Sequence, residues 1–473
     1  MSTISYDPGT GYDEVFDADG RVRPLYAEVM DRLAGTDLDK LARRVAESLE
    51  ADGVYFGGDD PHPYCVDPVP RLLTGDEWDL LARGVAQRTR VLEAFVGDVY
   101  GERRAVRQGI VPERVLEATP YLEKDLVGCP IPTGGWIGVA GFDLVRGADG
   151  RFRVLEDNLR TPAGAAFAEA ANRVTAEVAG LGPGPGSFLA DTASALRRAL
   201  ERSAPDLDGE LVLVSDGEHN SAWFEHRRLA EAAGLRLALI EDLRSRGGRV
   251  ELADGTPVRA FYRRSDSDSI RSDDGRIMPL AATVLDAVCE NRVGMVNRYG
   301  GGVADDKMIY TYVDDLTRLY LGEEPILPSV TTYDLLDERR LADADERLHE
   351  LVAKPRDGYG GQGVVVGPAA TDEEIETARA AIHADPEAWI VQEVVELSTL
   401  PAVVDGRLEP RHVDLRVIAV RDGDSRDSAA DGGGDDATGV TPVRGGLTRV
   451  ALEAGSMVVN SSRRGGAKAT WVV

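Results

Sequence analysis

A lysine and a glycine-rich loop follow an apolar strand in the last third of the chain. Lys354 ends the predicted strand, and Gly358, Gly360, Gly361 and Gly363 lie in the loop after it. Glycine permits positive φ and close backbone approach, so several N–H groups of such a loop can face phosphate oxygens. Lysine adds a positive charge. The pattern favours a loop that closes over a nucleotide triphosphate, and an ordinary hairpin turn is the alternative.

Two further segments offer groups to the same nucleotide. Lys307 follows two aspartates at a predicted helix start, where an acidic N-cap is expected. The alternative for Lys307 is a plain helix-surface lysine. Gln392 and Glu393 interrupt an apolar strand over 389–395, which can offer backbone groups to adenine and a carboxylate to ribose.

Oxygen ligands lie on a predicted hairpin around residue 150. Asp143 is on its first arm, and Glu156 and Asn158 are two residues apart on the second, so both point to one face. Two carboxylates and an amide oxygen form a hard ligand set that suits Mg²⁺ and not zinc. The alternatives are a solvated strand end for Glu156 and Asn158 and a surface charge for Asp143.

Two pairs of polar residues belong to a predicted α/β layer. Arg263 and Arg264 end a strand of that layer, where ligands tend to bind. They either recognise a substrate carboxylate or pair with the acidic surface. Glu225 and His226 are more simply a helix-face pair, although substrate contact is left open. The six histidines show no ligand spacing, so a zinc site is not expected.

The elements that must position these residues follow from hydrophobic spacing and turn signals. Apolar residues at helical spacing predict helices over 27–56 and 75–100. A βαβ rhythm follows, typical of a small doubly wound layer, with a helix at 188–203, a strand at 211–217, a helix at 221–233, and strands at 235–240 and 258–262. The polar, glycine-rich and acidic stretch 421–438 is expected to be a mobile surface loop.

Composition limits the class of protein. A chain of 473 residues is expected to form two or three domains. No run of 18 apolar residues suggests a membrane span, and the first residues lack a secretion signal, so a cytoplasmic location is expected. A formal charge of −28 repels polyanions, which makes a nucleic-acid partner improbable. Three scattered cysteines, Cys65, Cys129 and Cys289, favour reduced thiols.

Lysine is scarce in this chain. Of 54 basic residues only five are lysines, namely Lys40, Lys124, Lys307, Lys354 and Lys468. An acid excess with few lysines favours a halophilic source, because salt screens dense like charge. A GC-rich genome that favours arginine codons is the alternative. In either case, three lysines within glycine-rich or Asp-Lys motifs are hard to attribute to chance.

These segments together resemble the circularly permuted ATP-grasp family (type 2), whose relatives include glutathionylspermidine synthetase-like carboxylate–amine ligases. The resemblance rests on the Lys354 loop, the Asp306-Lys307 helix start followed by 324–331, the Gln392-Glu393 strand, and the hairpin with Asp143, Glu156 and Asn158. In the wider superfamily the metal-binding strands come after the nucleotide hinge. Here they precede it, and that order indicates the permuted family.

The resemblance implies an α/β fold with α+β elements: an ATP-grasp fold in circularly permuted order, with a small doubly wound pre-ATP-grasp layer and a helical N-terminal part. The implied regions are a helical region over 1–130, the metal-binding hairpin over 131–185, the pre-ATP-grasp layer over 205–300, and nucleotide-binding lobes over 301–473 with the acidic insert at 421–438.

The resemblance also implies ATP-dependent joining of a carboxylate to an amine through an acylphosphate. Lys307 and Lys354 would contact phosphates and Glu393 the ribose or adenine edge. Mg²⁺, with Mn²⁺ as a substitute, would be held by Asp143, Glu156 and Asn158. Arg160 and Arg416 would stabilise the transferring phosphoryl group, and Lys468 in the tail is a candidate substrate contact. An acid is expected after Lys468, where Ala469 stands.

Three questions stay open at this point. The substrates are small molecules, with amino acids, peptides and polyamines all allowed, and a homo-oligomer is also allowed. A phosphotransferase would use the same nucleotide site. A non-catalytic nucleotide-binding protein is the third reading, against which the retention of both lysines argues. A Walker-type NTPase is not indicated, because its loop motif is absent from the sequence.

Overall fold

A computed structural model describes residues 6–9, 11–184, 186–357, 362–423, 438–457, 459 and 465–473. Its α-helices are α1 Ala27–Leu33, α2 Leu38–Ala51, α3 Gly75–Val99, α4 Arg104–Arg107, α5 Glu113–Glu117, α6 Ala165–Glu177, α7 Phe188–Ser203, α8 Trp223–Ala233, α9 Pro279–Cys289, α10 Lys307–Tyr310, α11 Val313–Leu321, α12 Glu338–Arg347 and α13 Asp372–Ala384. Its strands are β1 Tyr55–Phe56, β2 His62–Pro63, β3 Val66–Leu73, β4 Val139–Arg146, β5 Phe152–Asn158, β6 Glu210–Ser215, β7 Arg236–Leu239, β8 Leu243–Arg246, β9 Arg249–Leu252, β10 Val258–Arg264, β11 Gly294–Val296, β12 Thr332–Asp334, β13 Leu351–Pro355, β14 Val365–Val366, β15 Trp389–Glu393, β16 Thr399–Val404, β17 Arg407–Val420, β18 Thr441–Pro442, β19 Leu447–Val450 and β20 Gly466–Val472.

The largest sheet brings distant parts of the chain together. Its strand order is β3-β20-β19-β17-β4-β5, and β16 and β18 also pair with β17. Across three antiparallel strands, Asp143 of β4 lies opposite Arg416 of β17 on one side and Glu156 of β5 on the other. Directly opposed side chains of neighbouring strands contact each other. The predicted hairpin is therefore present, and β17 adds an arginine to it.

A second sheet is parallel and has the order β11-β10-β6-β7. Its strand β6 is apolar along almost its whole length and buried after the first residue, as expected for a parallel strand covered on both faces. The helices α7, α8 and α9 pack against this sheet or its neighbouring hairpin. The doubly wound layer expected from the sequence is present here.

A third sheet is antiparallel, with the order β12-β15-β13-β14. Its apolar core contains buried residues of α12 and α13. The N-terminus of α13 is closed by a capping box between Thr371 and Glu374, in which each side chain binds the other residue's backbone N–H. Lys354 lies near the end of β13, opposite Ile390 of β15, so it stands where that strand leaves the sheet.

The N-terminal region contains five helices, but it is not purely helical. The 25-residue helix α3 begins after Thr74, which forms a capping box with Glu77. The strand β3 differs from the helical expectation: it pairs in parallel with β20 at the edge of the large sheet. Its residues Val66–Leu73 are all buried, and the segment contains two prolines, which occur at edge strands and not in helix interiors.

The expectation of reduced thiols is wrong for two of the three cysteines. Cys129 and Cys289 form a disulfide, with Cα atoms 5.1 Å apart, and Cys65 is free. The two bonded residues are separated by 160 positions. Spacing along the chain did not reveal that the segment before β4 lies against the end of α9.

Membrane crossing requires a helix that is both long and strongly apolar. Within the described residues, none of the helices has both properties.

Candidate active site

A narrow cleft lies between the third sheet and the large sheet and has about 960 Å³ of open space. Apolar side chains of several strands line it, among them Val145, Leu155, Val352, Val366 and Leu397. Charged groups at one end complete the lining: Asp143, Glu156, Lys307, Lys354, Asp414 and Arg449. An apolar slot with a charged end suits a flat ring joined to an anionic chain.

Lys354 enters this cleft from β13. Its Nζ donates to Oε1 of Gln392 at 2.6 Å, and Nε2 of Gln392 donates to Oγ1 of Thr332 at 2.9 Å. Burial lowers the pKa of Lys354 to about 8, Glu156 opposes this shift, and the charge of Lys307 adds to it. The side chain of Gln392 therefore orients the lysine, which the sequence reading had not suggested.

Glu393 lies on the wall of the same cleft and is held in place by two partners. Its carboxylate accepts from the hydroxyl of Tyr333 at 2.6 Å and from Nη2 of Arg347 at 3.0 Å. These contacts fix a negative charge beside the apolar slot. The sequence prediction that Glu393 contacts ribose or adenine stays a prediction.

Part of the glycine-rich loop falls outside the described residues, namely Gly358, Gly360 and Gly361. Gly363 is described and has a φ of +69°. A Cβ atom added at this position would lie 2.7 Å from Cγ of Pro355. Both the backbone angle and the lack of space favour glycine here.

Lys307 begins α10 and faces Glu156. Its Nζ lies 3.6 Å from Oε1 of Glu156. The N-cap is Asp306, whose Oδ1 accepts from the backbone N–H of Met308 at 2.8 Å. Asp305, the first of the two aspartates before Lys307, accepts from the backbone N–H of Arg160, so it positions the segment after β5.

Two arginines hold Asp143. Nε and Nη2 of Arg416 donate to its two oxygens at 2.6 and 2.8 Å, and Nη2 of Arg449 donates at 2.8 Å. Arg449 also pairs with Asp414. Burial would raise the pKa of Asp143, but the two guanidinium groups hold it below its ordinary value. Arg416 therefore pairs with Asp143 and not with Asp414.

Arg449 was missed from the sequence. It lies in β19, whose four residues Leu447–Val450 are all buried. An arginine in a buried apolar strand needs a partner, because burying an isolated charge is costly. That signal was available but did not identify the partner.

The residues around Glu156 and Asn158 fit a magnesium ion that is shared with phosphate. The Glu156 side chain is 37% exposed to the cleft, and the buried Nδ2 atom of Asn158 has no hydrogen-bond partner among the described residues. Both oxygens of Asp143 are held by arginines. No cluster of three or more histidine, cysteine or acidic residues suited to a metal is found in the described part of the chain. Mg²⁺ needs only one or two carboxylates when phosphates supply further ligands.

A wide cleft with about 1720 Å³ of open space lies on the other side of the junction. It shares Glu156, Lys307 and Arg449 with the narrow cleft. Arg160 lines it, pairs with Asp268 at 2.6 Å, and is 3.3 Å from Asp305. Arg416 and Asn158 line it too. The two clefts thus meet at one carboxylate, one lysine and one arginine.

The predicted arginine pair separates in the structure. Arg264 lines the wide cleft, and its Nη1 donates to the carbonyl of Pro162 at 2.6 Å. Glu225 accepts from the backbone N–H groups of Gly164 and Ala166 at the start of α6, so its role is capping. Arg263 is buried, and it is not among the described residues that line either cleft.

His226 also faces the wide cleft. Its Nδ1 is 2.8 Å from Oγ of Ser215. Burial, followed by the charge of Arg264, lowers its pKa well below the ordinary value. The imidazole is therefore neutral at pH 7.

Lys468 lies away from both clefts. It is fully buried, pairs with Asp67, and donates to the carbonyls of Val69 and Pro401. Such complete pairing is typical of a structural ion pair. The substrate contact of Lys468 stays a prediction from the sequence. The next residue, Ala469, packs in an apolar cluster, where an unpaired acid would be costly.

A family model described as circularly permuted ATP-grasp type 2 matches residues 70–451. An uncharacterized protein of Mycobacterium leprae is 38% identical over 482 residues, which cover 98% of this chain and 82% of that protein. An uncharacterized protein of Synechocystis is 35% identical over 100% of this chain and 99% of its own length.

Two relatives whose names state an activity are longer than this chain. A putative glutamate–cysteine ligase of Frankia casuarinae is 40% identical over 99% of this chain, which spans 54% of that protein. Among solved structures, a glutathione synthetase-like effector from Globodera pallida has a TM-score of 0.60 over 93% of this chain and 98% of its own, at 11% identity. That likeness shows the fold alone. These comparisons do not support the halophilic interpretation of the charge.

Proposed function

Because the chain belongs to the circularly permuted ATP-grasp type 2 family, we propose that it is a Mg-ATP-dependent ligase that joins a carboxylate to an amine. The observation that carries this proposal is the junction of the two clefts at Glu156, Lys307 and Arg449. One cleft suits a nucleotide and the other is wide enough for two small substrates. Groups that bind phosphate lie between them.

We assign roles by position in the clefts. The adenine ring enters the apolar slot, and Lys354 and Lys307 contact the phosphate chain. Glu156 and Asn158 would hold Mg²⁺, which would offset the charge of the phosphates. Asp143 orients Arg416, since its two oxygens accept hydrogen bonds from the guanidinium group of Arg416.

The reaction proceeds in two steps. A carboxylate oxygen of the first substrate attacks the γ-phosphorus, the bond to the β-phosphate oxygen breaks, and ADP and an acylphosphate form. The neutral amine then attacks the acyl carbon, phosphate leaves, and a proton is lost from the nitrogen. Arg160 and Arg416 line the wide cleft and stabilise the negative charge that moves during the first step.

A cytoplasmic location and the absence of nucleic-acid and membrane partners stay predictions from the sequence. So does the choice between a monomer and a homo-oligomer.

Release of phosphate from ATP tests the proposal. Purified protein with Mg-ATP is incubated with pairs of carboxylates and amines, starting with L-glutamate and L-cysteine because two Frankia relatives carry the name putative glutamate–cysteine ligase. We expect phosphate release that needs both partners, with an amide product in the mass spectrum. Release with a carboxylate or alcohol alone, accompanied by a stable phosphorylated product, would indicate a phosphotransferase instead. Nucleotide binding without turnover on any pair would contradict catalysis.

The protonation of Lys354 predicts a pH dependence of nucleotide binding. Its pKa of about 8 in the free protein rises when phosphates bind, because anions favour the charged lysine. Affinity for Mg-ATP is therefore constant below pH 8 and falls as the pH rises through 8, by about tenfold per pH unit at the steepest. Calorimetric titrations from pH 6.5 to 9.5 measure this.

Lys354→Arg provides the control for the pH experiment. Arginine keeps its charge over this range, so the affinity of the variant for Mg-ATP should not fall as the pH rises through 8. Equal affinities of the wild type at pH 7 and pH 9.5 would contradict a lysine–phosphate contact.

A further inference from the structure

The two ends of the wide cleft differ in charge. Cationic groups gather at the junction, with Lys307, Arg416 and Arg449 in the lining. The lining on the opposite side includes Asp60 and Asp266 together with aromatic side chains. We call this second region the far end of the cleft.

Backbone contacts bring the two aspartates to this one region. Asp60 lies in the turn of the β1–β2 hairpin, and the N–H of Gly57 in that turn donates to the carbonyl of Ser221 at 3.1 Å. The adjacent Asn220 donates from Nδ2 to Oδ1 of Asp266 at 3.2 Å. The hairpin turn and Asp266 therefore meet through residues 220 and 221.

The hairpin is docked tightly and is part of the cleft wall. Gly57 has a φ of +123°, and a Cβ added there would lie 2.4 Å from the carbonyl oxygen of Asp60. Gly58 has a φ of +57°, and its added Cβ would lie 2.2 Å from the carbonyl oxygen of His219. Both positions favour glycine because the backbones approach closely. The wall is thus preformed.

Aromatic rings back the far end. Phe56 and Tyr64 line the cleft, and their ring centroids lie 5.7 and 4.6 Å from that of Phe167. Tyr64 is buried, whereas Phe56 is partly exposed, and the exposed face of an aromatic ring attracts cations. Residues 55–64 lie outside the 70–451 segment matched by the family model, whereas the junction residues lie within it.

The carboxylates at the far end take part in no direct ion pair among the described residues. No lysine, arginine or histidine nitrogen of the described residues lies within 4.0 Å of the carboxylates of Asp60 or Asp266. Burial, followed by the charges of Asp216 and Asp268, raises the pKa of Asp266, and the hydrogen bond from Asn220 and the charge of Arg264 only partly oppose this shift. An added cation would relieve this repulsion.

The arginines of the cleft wall pair with other carboxylates, and Arg264 acts on Asp266 only from beyond ion-pair distance. Arg264 lies 3.5 Å from Glu225, and Arg160 pairs with Asp268. The imidazole of His226 is neutral at pH 7, as described above. A positive group of the ligand is what the far end lacks.

We propose that the far end is the amine-substrate subsite, which binds that substrate as a primary ammonium ion between Asp60 and Asp266, beside Phe56. One of the two carboxylates takes up the proton, so that the neutral amine attacks the acyl carbon. The inference rests on the proposed ligase function. The carboxylate substrate needs the cationic junction, where the γ-phosphate and the arginines lie. We therefore place the amine substrate at the far end of the same cleft, where the aspartates and aromatic side chains lie.

The test compares Asp266→Asn with the wild type, using the amine that supports phosphate release. We expect the KM for this amine to rise about ten- to one-hundred-fold, as for loss of a charge-assisted hydrogen bond. The KM for ATP should change by less than about twofold. Hydroxylamine, an uncharged nucleophile at pH 7.5, should capture the acylphosphate at the wild-type rate, because it needs no counter-charge.

Two further variants complete the test. Asp60→Asn, on the exposed hairpin turn, should raise the same KM even if Asp266→Asn folds poorly. Asp274→Asn is the matched control, since Asp274 is exposed and pairs with Arg276 and is not among the described residues that line the cleft. It should leave every parameter unchanged.

The outcomes separate the subsite from the proposed function. If the wild type turns over but Asp266→Asn and Asp60→Asn keep its KM for the amine, the subsite is refuted and the ligase function stands. An equal loss with hydroxylamine and with the cationic amine would also refute it, because the aspartates would then act on the first step. If no carboxylate–amine pair releases phosphate from the wild type, the proposed function fails and the subsite falls with it.

Discussion

Lys354→Ala should weaken Mg-ATP binding by about ten- to one-hundred-fold. The lysine is half-buried beside an apolar slot, so its contact with phosphate is formed largely out of water, and charge-assisted contacts of this kind are worth about 1.5–3 kcal/mol. Truncation also leaves Oε1 of Gln392 without its donor. Calorimetric titration with Mg-ATP at pH 7 measures the loss.

The same substitution should not unfold the protein. Burial lowers the pKa of Lys354, which means that the folded state holds this charge at a cost. Removing the ammonium therefore spares the fold while it removes the ligand contact. Thermal unfolding without nucleotide should match the wild type, and only the wild type should gain stability from Mg-ATP.

A matched control exists among the few lysines of the chain. Lys40 is exposed on α2, so Lys40→Ala removes the same charge from a surface far from any assigned role. Its dissociation constant should equal that of the wild type. An unchanged constant for Lys354→Ala would refute the assignment of the narrow cleft to a nucleotide.

Glu156→Gln should reduce metal-dependent turnover by about 10²- to 10³-fold, the scale seen when an enzyme loses one group that stabilises transition-state charge. Glutamine keeps the shape of the side chain but gives up the charge that Mg²⁺ prefers. The concentration of Mg²⁺ needed for half-maximal rate should rise as well. Steady-state rates over a Mg²⁺ titration give both values.

Stability should be almost unaffected by Glu156→Gln. The side chain is partly exposed, and its ion pair with Lys307 spans 3.6 Å. Pairs of this kind contribute about 1 kcal/mol or less. Asp149→Asn on the turn of the same hairpin is the control, because Asp149 is partly exposed, pairs with Arg153 and is not among the described residues that line either cleft. Wild-type turnover and Mg²⁺ dependence in Glu156→Gln would exclude it as a metal ligand.

Local sequence was enough to identify the parts of the site that are themselves local. Lys354 with its glycines, and Glu156 with Asn158 at alternate strand positions, each carry their signal within a few residues. The order of these segments then indicated the permuted arrangement, and the family match over residues 70–451 confirms it. The βαβ layer was likewise readable from its periodicity.

Contacts between distant segments could not be predicted in this way. Arg449 reaches Asp143 from a position 306 residues later in the chain. The disulfide of Cys129 and Cys289 spans 160 positions. The hairpin at residues 55–64 looked like a simple turn, and only its docking onto the segment after β6 makes it a wall of the wide cleft. Each depends on the tertiary fold.

The topology of the large sheet also bears on how the protein folds. The strand β20, Gly466–Val472, is inserted between β3 and β19, so about 400 residues separate it from its parallel partner. During synthesis β3 is made long before β20, so the edge of β3 that pairs with β20 stays exposed until β20 leaves the ribosome. Long-range pairing of this type is slow and leaves edges open to aggregation. We expect refolding to be limited by closure of this strand and yields to fall as protein concentration rises.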